Sequence, residues 1–168
     1  GSWRGGAGEA LLFPGAGHRA KEWPAGHWRK LATLLPSHGI ACRFALGPAE
    51  LERGFDGQGV PTVTPESLDE LASLVADASV VVCADTGPMH LAALSGTPAL
   101  ALFGPTSAGQ WAPVGVCVLR AGVDCRPCSR TTRNIPCAAP ECMATITVDE
   151  AARHVRTLLE GDKKKKPA

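Results

Sequence analysis

Apolar runs too short to be helices alternate along this chain with amphipathic stretches, and this alternation constrains the fold more than any other feature. Ser79 to Cys83 is the clearest run, apolar and β-branched, as expected of a strand covered on both faces. Before it, Ser67-Leu68-Asp69-Glu70 forms a capping box, in which serine and glutamate side chains satisfy free donors at a helix start. The helix that follows places Leu68, Leu71, Leu74 and Val75 on one side. After the run, Pro88 to Ser95 reads as a helix with proline in its first turn, Gly96 ends it, and Pro98 to Phe103 is the next strand.

The flanking chain repeats the pattern. Ala10 to Phe13 reads as a strand closed by Pro14-Gly15-Ala16-Gly17, and His27 to Leu35 as a helix with Trp28, Leu31, Ala32 and Leu35 on one face. Ile40 to Leu46 is a second strand, Ala49 to Arg53 a short helix, and Pro61 to Val63 a brief third strand. Beyond Gly104-Pro105 the chain is irregular, with a strand at Val116 to Leu119. Thr147-Val148-Asp149-Glu150 is a second capping box, opening a helix with Ala151, Val155, Leu158 and Leu159 on one face and Gly161 as its stop. Strands alternating with helices imply parallel pairing through right-handed crossovers. The expected fold is a Rossmann-like, doubly wound α/β sheet. The boundaries expected are a flexible segment or linker at 1–9, one domain at 10–160 with a cysteine-rich loop at 125–142, and a lysine-rich tail at 161–168. Such sheets bind ligands beyond the carboxyl ends of their strands, which directs attention to residues 14–24 and 84–90.

Composition removes several function classes. The 168 residues carry a net charge of +1, and Lys163 to Lys166 supply four of the cations. The rest of the chain is mildly acidic, so charge does not support a nucleic-acid surface. No apolar run approaches the ~18–20 residues of a membrane span, and the first residues lack the apolar core of a secretory signal, so a cytoplasmic location is expected. Cys42, Cys83 and Cys117 fall within apolar strand-like runs, where a thiol behaves as a small hydrophobe.

Three segments carry chemistry. Gly15-Ala16-Gly17 after a strand lets backbone approach a phosphate closely, although glycine turns after strands are common and Ala20 stands where the dinucleotide fingerprint needs a third glycine. Lys21 in Lys21-Glu22-Trp23-Pro24 offers a compact positive charge to a diphosphate; its other reading is a surface lysine beside a packed tryptophan. Asp85-Thr86-Gly87-Pro88-Met89-His90 gathers a carboxylate, a hydroxyl, a glycine amide and an imidazole around one strand-to-helix turn. Asp85 and Thr86 could instead serve as helix caps and His90 as a core histidine, but the convergence of polar groups at one carboxyl-end loop favours a site.

These segments, with Leu91-Ala92-Ala93, Leu102-Phe103-Gly104-Pro105-Thr106 and Trp111-Ala112-Pro113, resemble in order glycosyltransferase family 9, the ADP-heptose:lipopolysaccharide heptosyltransferases. The resemblance runs from about residue 10 to 160. It implies the C-terminal, donor-binding half of a GT-B enzyme with two Rossmann-like domains and the active site between them. It further implies inverting transfer that needs no metal ion or other cofactor. On this likeness Gly15, Ala16, Gly17, Lys21, Thr86, Gly87 and His90 lie around the donor diphosphate, and Asp85 bonds sugar hydroxyls. Glu50 holds the nucleotide ribose, with Glu52 as the fallback. The general base and the site for the acceptor glycolipid are expected on an N-terminal domain that these residues do not include, so no catalytic residue is assigned here and this chain alone is expected to be inactive. An enzyme of lipopolysaccharide biosynthesis would work in the cytoplasm or at the inner face of the inner membrane.

Cys125, Cys128, Cys137 and Cys142 have spacing compatible with a structural Cys₄ zinc site, with reduced thiols or a disulfide as alternatives. The expected function is donor binding for transfer of a heptose from a nucleotide sugar, ADP-heptose first. The alternative is a nucleotide-binding or interaction module without transferase activity, stabilised by zinc.

Overall fold

The computed structural model describes residues 9–123 and 141–165. Six parallel strands form one sheet: β1 (Ala10–Leu12), β2 (Cys42–Ala45), β3 (Thr62–Val63), β4 (Val80–Ala84), β5 (Ala99–Phe103) and β6 (Cys117–Arg120), in the order β3-β2-β1-β4-β5-β6. This is the expected doubly wound arrangement. Leu12 lies beside Phe44 on one flank and Val82 on the other, which puts β1 and β4 at the centre. Every residue of β1, β4 and β5 is buried, and the alternating side chains feed two cores.

One core joins Leu12, Val80, Val82 and Leu100 to Trp28, Leu31 and Leu35 of α1 (Ala25–Ser37). Ala151, Ala152 and Val155 of the C-terminal helix pack into the same core. The other sets Leu11, Val81, Cys83 and Ala101 against Val75, Met89 and Ala92. These three lie on α3 (Leu68–Asp77) and α4 (Gly87–Ser95); α2 (Pro48–Glu52) and α5 (Ala108–Trp111) are short helices after β2 and β5. Burial pushes the Cys42 thiol up to about 11, with the Glu9 carboxylate adding to the effect. That keeps the thiol neutral in its apolar setting, as expected.

Several local readings change. Leu68 is 69 % exposed, because the first turn of α3 lines an open cleft. The Ser67 hydroxyl caps Glu70 N at 3.1 Å, but the Glu70 carboxylate returns to Glu66 N at 2.8 Å rather than to Ser67. The Thr147–Glu150 box closes in both directions. Its helix, α6, runs Val148–Lys165, so Gly161 does not stop it. Gly161 has no positive φ, unlike Gly96 at the end of α4 with φ 71°, and the lysines after it are good helix formers. Among the described residues, no helix is long and apolar enough to cross a membrane.

The turn after β5 packs without slack. A Cβ on Gly104 would lie 2.6 Å from Met143 Sδ and 2.9 Å from Cys142 Sγ, and Met143 is fully buried. Gly104→Ala is therefore expected to lower the unfolding free energy by ~1–3 kcal/mol. An unchanged urea midpoint would show that the turn has room to spare.

Candidate functional site

Strand order reverses between β1 and β4. The chain leaves β1 for α1 on one face and β4 for α4 on the other, so the two carboxyl-end loops diverge and open a crevice. Next to that crevice, a cleft of about 580 Å³ is walled largely by apolar side chains, including Phe13, Ala45, Leu46, Pro48 and Leu71. Gly15, Ala16, Gly17, Glu50, Thr86 and Pro88 also line it.

The loop after β1 is held at several points. His18 Nδ1 accepts from Ala20 N at 3.0 Å, capping a 3-10 turn at Arg19–Lys21. Two residues on, Trp23 is buried, meets Trp28 edge to face with centroids 5.1 Å apart, and donates its indole N–H to Ile146 O at 2.9 Å. Glu22 pairs with Arg53, just past α2. Burial raises the Glu22 carboxyl above its ordinary value, with Arg53 and then Arg19 acting against that.

This bracing turns Lys21 inward. It is 5 % exposed, which excludes the surface-lysine reading. Its ammonium donates to Asp85 O at 2.9 Å and stands 3.7 Å from Asp85 Oδ2. Asp85, 4 % exposed, follows the last residue of β4. Its Oδ2 accepts from the Thr106 hydroxyl at 2.8 Å, and Thr106 is itself 3 % exposed. Lys21, Asp85 and Thr106 thus join the loops after β1, β4 and β5. Neither Lys21 nor Asp85 is in the cleft wall; Thr86, the next residue, is.

Thr86 is the N-cap of α4, but its side chain makes no capping hydrogen bond, so the reading of Thr86 as a simple cap is not supported. His90 is exposed on the first turns of α4 and is no core histidine. Glu50 lies on the cleft, whereas Glu52 is exposed and outside its lining. Glu50 Oε2 accepts from Gly47 N at 2.6 Å, closing the start of α2. Glu50 Oε1 lies so close to Gly15 that a Cβ there would sit 1.7 Å away. With the Glu50 carboxylate in this position, a side chain at 15 would displace it. Gly17 and Gly87 meet nothing within 4 Å of an added Cβ.

Sequence reasoning gave Thr106 no role. Its signal is a hydroxyl just past an apolar strand that neighbours the strand ending at Asp85. Of the proposed zinc ligands, Cys125, Cys128 and Cys137 lie outside the described residues; Cys142 is buried beside Gly104. Among the described residues, no group of three or more potential ligands could hold a metal ion.

A 3-2-1-4-5-6 parallel sheet with an apolar cleft and a buried lysine–aspartate pair at its switch point defines a Rossmann-like α/β domain with a candidate ligand site. The profile of glycosyltransferase family 9 (heptosyltransferase) matches residues 6–139, and the chain belongs to that family. It is 38% identical over 119 residues to lipopolysaccharide heptosyltransferase 1 of Pseudomonas aeruginosa, covering 67% of this chain and 34% of that protein. The Escherichia coli heptosyltransferase WaaC solved with ADP superposes with TM-score 0.69 at 27% identity, over 90% of this chain and 45% of that one. WaaC with ADP-2-deoxy-2-fluoro heptose gives TM-score 0.66 at 27% identity, over 90% and 44%. The chain thus spans about a third of the curated relative's length and under half of the solved enzyme's.

Removing one partner of a buried ion pair strands the other charge, which typically costs ~3–5 kcal/mol. Lys21→Met is expected to lose stability on that scale in urea denaturation, and Lys21→Met with Asp85→Asn to lose less. Equal losses for single and double variants would show that the two charges are not coupled.

Proposed function

We propose that this chain is the donor-binding domain of an inverting glycosyltransferase that passes a heptose from ADP-heptose to a lipopolysaccharide-type acceptor. The observation that carries the reading is the Asp85 carboxylate, buried at the switch point, paired with Lys21 and followed directly by Thr86 and α4. Membership in family 9 and the likeness to an enzyme solved with ADP and with an ADP-heptose analogue support it.

Each part of the donor has a counterpart. The apolar cleft suits a nucleobase, whose faces gain from leaving water. Glu50, fixed on the cleft by Gly47 N, suits the two ribose hydroxyls as an acceptor. The diphosphate falls to the Gly15-Ala16-Gly17 loop and the start of α4. Pro88 has no amide hydrogen and Met89 N is taken by Thr86 O at 3.3 Å, so Gly87 N is the donor which that helix start offers an anion. The Thr86 hydroxyl and exposed His90 lie on the same turns. Lys21 contributes positive charge from beneath, and Asp85 accepts from the sugar hydroxyls.

In transfer, the acceptor hydroxyl attacks the anomeric carbon, the bond to the diphosphate breaks, and ADP leaves with the charge. Lys21 and the α4 start stabilise that charge as it grows. Direct displacement inverts the carbon. The acceptor's proton goes to a general base on another domain, which also holds the acceptor glycolipid. Donor binding and transfer need no metal ion.

Calorimetry of the chain with ADP-heptose, ADP and UDP tests this. Tighter binding of ADP-heptose than of ADP is expected, undiminished by chelator and reduced about tenfold by Asp85→Asn, on the scale of a lost charged hydrogen bond. Absence of any nucleotide binding would overturn the reading. The chain alone is also expected to bind donor without transferring sugar; product formation with a lipopolysaccharide-core acceptor would show that a base is present after all.

A further inference from the structure

The ammonium of Lys21 balances the charge of Asp85 but does not orient its carboxylate. At 3.7 Å from Oδ2 it is beyond hydrogen-bonding range, and its close contact, 2.9 Å, is to the Asp85 backbone oxygen. The aspartate χ2 torsion is broad and roughly two-fold, so backbone position alone leaves the carboxylate plane undetermined. The Thr106 hydroxyl supplies the missing constraint. It donates to Oδ2 at 2.8 Å in a setting where both residues are almost fully buried. Thr106 is β-branched and hence stiff at χ1, and it follows the turn at Gly104 that Met143 and Cys142 pack against.

The other oxygen, Oδ1, accepts no hydrogen bond among the described residues. It is also not one of the fully buried polar atoms without a partner, which are the indole nitrogens of Trp28 and Trp111. Thr106 occupies one carboxylate oxygen and leaves the other, which takes no hydrogen bond among the described residues, for a ligand. We propose that Thr106 is a positioning residue: by holding Asp85 Oδ2 it presents Oδ1 to the sugar of a nucleotide-sugar donor, and so sets the preference for the sugar-bearing ligand over the bare nucleotide. The inference rests on the donor-binding reading above. A preorganised acceptor binds more tightly than one that must first be ordered, and the effect is confined to the ligand that reaches Asp85.

Thr106→Val keeps the side-chain shape and removes the hydroxyl, whereas Thr106→Ser keeps the hydroxyl and frees χ1. Calorimetry of the chain with ADP-heptose and with ADP is expected to give about a tenfold weaker Kd for ADP-heptose in the valine variant, with the ADP Kd within about twofold of wild type. The serine variant is expected to recover most of the loss. On an Asp85→Asn background, the valine substitution is expected to add nothing. Should the valine variant melt well below wild type, Thr106→Ala removes the same hydroxyl without crowding the carboxylate and supports the same comparison. A wild-type preference that survives loss of the hydroxyl overturns the inference and leaves the donor-binding reading intact. Equal weakening of ADP and ADP-heptose overturns it too, since that is a structural effect. A wild-type chain that binds ADP but does not prefer ADP-heptose overturns both.

Discussion

β1 and β4 lie side by side in parallel, yet the chain leaves them toward opposite faces of the sheet. Everything at the site depends on that divergence. Once α1 packs on one core and α4 on the other, no crossover covers the carboxyl ends of the two central strands. The space left there is bounded by turns and helix starts, which can bring polar groups inward. The pairing of Leu12 with Val82 fixes the two strand ends relative to each other. A lysine reached by a braced 3-10 turn can then meet the aspartate just past Ala84. The loop after β5 adds Thr106 from the next strand over.

A carboxylate and an ammonium that are both buried carry a large desolvation penalty, which hydrogen bonds to each of them help to offset. Here the ammonium also satisfies the Asp85 carbonyl, and a hydroxyl satisfies one carboxylate oxygen. The turns around this pair are closely packed. A side chain at Gly104 would have to displace Met143 and Cys142, and one at Gly15 would have to displace the Glu50 carboxylate. Both glycines serve close approach by other parts of this chain. A glycine-rich turn after a strand reads in sequence as room for a phosphate, but at Gly15 the first claimant of that room is a carboxylate of the protein itself.

Much of the frame was legible before any coordinates. All six strands fall within the apolar runs, or one residue from them, because apolar residues in such short blocks have few ways to be buried. The caps at Ser67 and Thr147 were readable because capping is local. Where reading failed, a non-local fact intervened. Leu68 satisfies the helical period of α3 and is nevertheless exposed, because the start of that helix borders an open cleft. Gly161 looks like a stop, but only the backbone conformation decides whether a glycine ends a helix or continues it, and here it continues to Lys165. Lys21 had a surface reading beside its functional one and His90 a core reading, and their burial excludes both of those.

The sequence by itself determined the order of strands and helices, the two carboxyl-end loops that matter, and the spaced motifs that mark the family. All of these are written in short-range patterns of residue type. Tertiary structure alone decided which of the marked residues meet. Lys21 and Asp85 are 64 positions apart, and Asp85 and Thr106 are 21 apart; no local period records either contact. They form because parallel pairing brings three strand ends into adjacent positions, where burial makes an unpartnered charge too costly to leave.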